Sequence, residues 1–425
     1  MRRSVRLALV TVVVAGVWLV PAAPALAAPW CGTVGTEDRP ATVGGAQVRL
    51  VYAIPADGED RSATVVPQLS ADVDAMEDWW RGQDPSRTAR FDRAPFPCGL
   101  QADVQLLRAT QTAEQLRPED RRFETLADAV TALDHFSPFF KYLVYYDGPL
   151  ESDRLCGQGG GFFDGPGVAV VYVGSCAGEP SAVIAAHELI HAMGMLPRPG
   201  PPNGCPDSLG HACDTQSDIM WPFATLVPLS SLLLDVNRDD YYGHAGGWED
   251  LQDSRWLRHL DAQVPLALTL QGTGSVVSDV PGIECSASCA SEWDAGGTVV
   301  LAATPTGNQR FVSWSGACTG TAPSCSVSLA QPASMTALFA PATFALRVTI
   351  GGKGTVRSAS GAVACPGRCA IAVPSFTATR LTAKPAKGWR LKTWLGACRG
   401  TKPSCTLQML AAKQARAVFV RAKPR

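Results

Sequence analysis

A chain of 425 residues, 46% hydrophobic and 18% charged, is too long for one ordinary core and too apolar to be disordered, so two or three folded domains are expected. The formal net charge of −1 hides a division. Residues 344–425 carry sixteen Lys and Arg and no Asp or Glu, whereas residues 28–343 hold 18 basic against 38 acidic side chains.

Residues 1–27 read as a secretory signal. Arg2, Arg3 and Arg6 open it, the apolar run LALVTVVVAGVWLV follows, and Ala25-Leu26-Ala27 supplies the small residues of a cleavage site. No later segment is long and apolar enough to span a bilayer. Export places the fourteen cysteines in an oxidising compartment, where disulfides form. Six fall in the first part, for which the pairs 31–98, 156–176 and 205–213 are expected, although spacing alone does not fix connectivity.

Residues 28–262 form the first predicted domain. QVRLVYAI (47–54) reads as a buried strand. VVPQLSADVDAMEDWWRGQ has helical spacing, with Leu69, Val73, Met76 and Trp80 on one face. RTARFDRA and ADVQLLRA read as strands, and RRFETLADAVTALDHF as a second amphipathic helix. KYLVYYDG and GVAVVYVG are strands, with a Gly-rich loop, CGQGGGFFDGPG, between them. The loop has no lysine and no phosphate-loop spacing, which argues against a nucleotide site. SAVIAAHELIHAMGM is a third helix, starting near Glu179 or Ser181 and ending near Gly194. The order β-α-β-β-α-β-β-α gives an α/β core.

On that third helix His187 and His191 stand four residues apart and so share a face, with Cβ atoms roughly 5–6 Å apart. That spacing suits two imidazoles on one Zn²⁺ at about 2.0–2.1 Å. Glu188 projects beside such a metal, placed to accept a proton from an attacking water and hand it to a leaving amine. HELIHAMG, with the later Ser217-Asp218-Ile219-Met220, resembles zincins of the metzincin type, where a glycine turns the chain after the second histidine and a methionine turn underlies the metal. Gly194 and Met220 match those features. Pro197 stands where that family has its third histidine. A delayed ligand must then complete the set, and PNGCPDSLGHACDTQSDIMW offers Asp207, His211, Asp214 and Asp218. Zinc favours imidazole, and three histidines leave one position open. GHACDTQSDIMW also resembles a segment of exported actinobacterial zincin-like metalloproteases. His211 is therefore the expected third ligand, with Asp214 and Asp218 as the alternatives, either of which can instead orient a ligand ring.

LDVNRDDYYGHAGG (234–247) gathers Asp235, Asn237, Asp239 and Asp240. It lacks the glycine and terminal glutamate of a calcium hand, so it reads as a turn, with Ca²⁺ as a weaker option. Tyr241 or Tyr242 is a candidate oxyanion donor, as in some relatives, and His244 an outlying metal candidate.

The rest of the chain is a tandem repeat. At an offset of eighty residues Cys285, Cys289, Cys318 and Cys325 fall on Cys365, Cys369, Cys398 and Cys405, and VSWSGACTGTAPSC falls on KTWLGACRGTKPSC. No gap is needed. Alternating segments and paired glycines predict two small all-β modules, 264–341 and 344–421, each with up to two disulfides. The W-x-G-x-C-x-G…C…A-x-F pattern resembles the divergent internalin-type B repeats of exported bacterial proteins, which implies an attachment role. The basic second module should be drawn to polyanions such as cell-wall polymers, with no specific nucleic-acid recognition expected.

These signals lead to the expectation of a secreted zinc-dependent endopeptidase, taking a protein or peptide substrate, with Glu188 as base and His187, His191 and His211 as ligands. The alternatives are a surface-binding protein whose zincin domain is degenerate, and a zinc hydrolase acting on wall peptides or non-peptide amides.

Overall fold

The computed structural model describes residues 30–135, 137–195 and 202–423. The predicted signal (1–27), Phe136 at the end of the second predicted helix, and Pro197 lie outside the described residues. The protein is multidomain and mostly β, with few helices and seven disulfides.

The first part runs β1 (Gln47–Ile54), α1 (Ser62–Gln83), β2 (Arg87–Ala89), β3 (Arg93–Phe96), β4 (Gly99–Ala102), β5 (Val104–Arg108), α2 (Ala113–Leu116), α3 (Glu119–Leu133), β6 (Phe140–Tyr146), β7 (Gly157–Gly161), β8 (Gly167–Tyr172) and α4 (Ser181–Ala192). Five strands form one sheet in the order β5-β1-β6-β8-β7. The first four are parallel, and β7 runs antiparallel along the edge. Side chains alternate across this sheet, as a strand's two-residue period requires. Leu143, Tyr145, Ala169 and Val171 pack with α1 and α4 on one face. Tyr142, Val144, Val168 and Val170 pack with α3 on the other. Burial on both faces is why β1, β6 and β8 are near-continuous apolar runs. The predicted stripe on α1 is fully interior: Leu69, Val73, Met76 and Trp80 are all buried.

The Gly-rich segment differs from its expectation as a loop. Five of its twelve residues, Gly157-Gln158-Gly159-Gly160-Gly161, are the edge strand β7. The glycines are there because α4 lies against the strand. A Cβ at Gly157 would sit 2.7 Å from Glu188 Cγ, and one at Gly159 would meet the Glu188 carbonyl and lie 2.8 Å from His191 Cβ. The segment RTARFDRA is likewise not one strand but the short β2 and the start of the β3–β4 hairpin.

Each C-terminal module is a pair of four-stranded sheets. In the first, strands 289–294, 263–271, 333–341 and 309–316 form one sheet, and 284–285, 274–278, 298–305 and 324–328 the other. The second repeats this order, down to a bulge at Phe311/Ser313 that recurs at Leu391/Thr393. Disulfides 285–289 and 318–325 recur as 365–369 and 398–405. Trp314 and Trp394 are buried at equivalent points, each indole N–H donating to a backbone carbonyl.

Candidate metal centre

Helix α4 carries His187, Glu188 and His191 and ends where Gly194 adopts φ +84°. The Gly194 N–H donates to the His191 carbonyl and the Met195 N–H to that of Ile190, satisfying the helix end. A left-handed residue is needed here, and a side chain would also strike the backbone at Phe163.

His211 is brought to this helix by a short closed loop. The expected 205–213 disulfide is formed, as are 31–98 and 156–176. The Cys205 N–H donates to the His211 carbonyl at 2.9 Å, so the loop is pinned at the residue that matters. Ring nitrogens of His187, His191 and His211 all lie within 4.8 Å of one another, with ring centroids 4.8 to 5.1 Å apart.

The orientation of the rings decides what they can bind. His187 Nδ1 is 2.7 Å from the Ile219 carbonyl, which fixes the proton on Nδ1 and leaves Nε2 as an acceptor. His211 Nδ1 lies 3.2 Å from the Leu209 carbonyl and 3.1 Å from Ser208 Oγ, with the same consequence. His191 Nε2 is 3.4 Å from His211 Nε2. Two nitrogens bound tetrahedrally at zinc distances stand about 3.3 Å apart, so this pair already has the separation of two ligands on one ion. Burial lowers all three imidazole pKa values, His187 to about 4, keeping the lone pairs unprotonated at neutral pH. The donor set thus fits a single Zn²⁺ with a position left open.

Glu188 is buried beside these rings, and its side chain makes no hydrogen bond among the described residues. Burial pushes its carboxyl up to about 8. All four side chains line an open cleft of about 580 Å³, walled by Phe123, Leu209, Trp221 and Phe223 and bordered by the backbone of β7.

The alternative ligands go elsewhere. Asp218 accepts from the Met220 N–H at 2.7 Å, the Tyr241 hydroxyl at 2.8 Å and the Val236 N–H at 2.9 Å, so it organises the turn under the histidines. Met220 in that turn is fully buried. Asp207 and Asp214 are not part of the histidine cluster. Neither tyrosine faces the cleft: Tyr241 is committed to Asp218 and to the Asp235 N–H, and Tyr242 donates to Asp84. His244 stacks on Trp248 and is not part of the histidine cluster. Sequence reasoning missed the carbonyls of Ile219 and Leu209, which set the tautomers. Any residue type offers a carbonyl, so no sequence signal marks them.

Residues 275–343 and 344–423 each match the divergent InlB B-repeat domain, and the C-terminal region is a pair of such repeats. No curated protein matches the chain. Among solved structures, wild-type OgpA from Akkermansia muciniphila aligns at 13% identity over 89% of this chain and 99% of that one, with a TM-score of 0.27. The Bacillus anthracis TIE protein aligns at 7% identity over 38% of this chain, with a TM-score of 0.24, and the match spans only 34% of that chain. The major pilin T-13 of Streptococcus pyogenes aligns at 9% identity over 38% of this chain and 97% of that one, with a TM-score of 0.18. Likeness at this level carries no argument about fold or activity.

Proposed function

We propose that this chain is a secreted zinc-dependent endopeptidase of zincin type, whose repeats attach it to an anionic surface. The observation that carries the reading is the convergence of three neutral imidazoles, from two separate segments, beside a buried carboxyl at the floor of an open cleft. His187, His191 and His211 would hold the ion. When bound, Zn²⁺ supplies Lewis-acid polarisation of the substrate carbonyl and acidification of water.

The remaining work falls to the chain. Strand β7 is a sheet edge bordering the cleft, so one row of its backbone N–H and C=O groups can pair with an extended peptide. Glu188 takes the proton of the attacking water and delivers it to the leaving amine nitrogen. Burial raises the Glu188 carboxyl pKa in the metal-free site, and a cation bound by the three histidines would favour its ionised form, the form a general base needs.

Secretion is supported by the signal-like N-terminus and by the pairing of every described cysteine in a disulfide. Among the described residues no helix is long and apolar enough to cross a membrane.

The test is cleavage of an unfolded protein by the signal-free chain, with chelator, zinc add-back and Glu188→Gln. We expect cleavage that chelation abolishes, zinc restores, and Glu188→Gln lowers by about 10²-fold or more while zinc stays bound. A folded chain that binds no zinc, or that binds it and cleaves neither unfolded protein nor cross-linked wall peptide, would overturn the reading.

A further inference from the structure

Beside the loop that carries His211, one carboxylate oxygen from each of Asp235, Asp239 and Asp240 lies within 4.8 Å of the others. Asp235 and Asp240 are buried, 2% and 0% exposed. Among the described residues no Lys or Arg forms a salt bridge with any of the three. Three clustered carboxylates without a counter-charge repel one another, and burial strengthens that repulsion.

The hydrogen bonds show which oxygens are spent and which are free. Asp235 accepts from the backbone N–H groups of Asp239, Asp240, Tyr241 and Tyr242, and so holds the turn in shape. Asp240 Oδ1 accepts from the Asn203 N–H at 2.9 Å, and Asp239 Oδ2 from Asn203 Nδ2 at 3.2 Å. Their second oxygens, Asp240 Oδ2 and Asp239 Oδ1, are buried and accept nothing. An orphaned oxygen on a fully buried carboxylate costs free energy unless something fills the space it faces.

We infer that Asp239 and Asp240, through these two free oxygens and on the turn that Asp235 holds, form a second metal site, for a hard divalent cation with the size and ligand preference of Ca²⁺. Such an ion takes six to eight oxygens at about 2.3–2.6 Å, so oxygens up to about 4.8 Å apart can share it, and each of the clustered carboxylates brings one oxygen within that limit of the others. An all-oxygen, carboxylate-rich set excludes zinc as the preferred ion, and a half-buried Asp239 leaves a path from solvent.

The position gives the ion a task. Asn203 bridges Asp239 and Asp240, and its carbonyl accepts from the Cys213 N–H at 2.9 Å, at the closure of the His211 loop. On the other side the Asp235 N–H donates to the Tyr241 hydroxyl, which donates to Asp218 in the turn beneath the histidines. A cation here ties the His211 loop to that turn. The site itself does not depend on the peptidase reading; only the consequence for zinc retention does.

The test uses the signal-free chain, stripped of divalent ions and loaded with one equivalent of zinc. Calcium at millimolar concentration should raise its Tm by about 5 °C or more, and equal Mg²⁺ much less. Terbium luminescence gives a second readout, because the Trp248 indole N–H donates to the Asp240 carbonyl at 2.6 Å, close enough to sensitise a bound lanthanide. Emission should appear on adding Tb³⁺ and be displaced by Ca²⁺. Asp239→Asn and Asp240→Asn should each weaken calcium binding at least tenfold. Trp248→Phe should lose the emission and keep the calcium-dependent Tm. Should Asp240→Asn fail to fold, Asp239→Asn, at a half-buried position, carries the comparison. A wild-type Tm indifferent to Ca²⁺, or a shift that survives both Asp substitutions, would overturn the site whether or not the chain cleaves peptides.

Discussion

Glu188 is a residue whose stability and chemistry pull in opposite directions. Its carboxyl titrates at about 8 in the metal-free site because burial disfavours the charge. An acid with a raised folded pKa contributes stability that is full below its unfolded value and lost as pH rises through the folded one. Between about pH 4.5 and pH 8 the metal-free chain should therefore lose stability that Glu188→Gln retains. Urea denaturation in chelator should show the variant gaining on wild type at pH 8 and matching it at pH 4. The histidines carry the reverse sign. Their folded pKa values are depressed, so the stability they contribute is present above about pH 6.5 and declines as pH falls toward about 4. His191→Gln should flatten that decline; an unchanged slope between pH 7 and 4.5 would show that the imidazoles are not held neutral. Sequence spacing placed His187 and His191 on one helical face because periodicity alone settles that point. It left His211, Asp214 and Asp218 open because which one reaches the helix depends on loop closure.

At the level of elements, the site is a helix set closely on a glycine strand and a disulfide loop folded over it. The glycines of β7 were visible in the sequence, but without a period-2 apolar pattern they read as a loop. Their strand character comes from pairing with β8, and their lack of side chains from the approach of α4. Gly159→Ala tests that approach. Its Cβ would meet the Glu188 carbonyl and crowd His191 Cβ, so α4 must shift. We expect a loss of about 1–3 kcal/mol, measured by denaturation, with weaker zinc binding. A neutral outcome would mean that the helix moves freely over the strand. The loop contributes differently. Replacing Cys205 and Cys213 with Ser should cost about 2 kcal/mol of stability and release His211, lowering zinc affinity more than tenfold while α4 keeps its two histidines. Equilibrium dialysis against a zinc chelator would separate this from global unfolding.

Across the whole molecule, duplication supplies an internal control for charge. Both C-terminal repeats share sheets, bulge and disulfides, so whatever differs between them is not required by the fold. On one outer face of the second repeat, the adjacent strands 354–358 and 378–385 expose Arg357, Arg380 and Lys384. Eighty residues earlier the same points are Val277, Val300 and Thr304, the two valines 40% and 37% exposed. The scaffold tolerates uncharged side chains there, so the three cations mark a surface property added to one copy only. Opposite them across the sandwich, Arg347, Arg390 and Arg416 are also exposed. Replacing Arg357, Arg380 and Lys384 together with Glu should leave folding and peptide cleavage intact, since all three sit on exposed strand positions remote in sequence from the histidines. The same change should sharply lower the salt concentration at which the chain leaves an anionic polymer resin, because the attraction is a screened surface field. Equal losses from the Arg347, Arg390 and Arg416 set would make the attraction a matter of net charge. A loss confined to the first set would locate a binding face, and no loss from either would leave the basic repeat as a solvated surface.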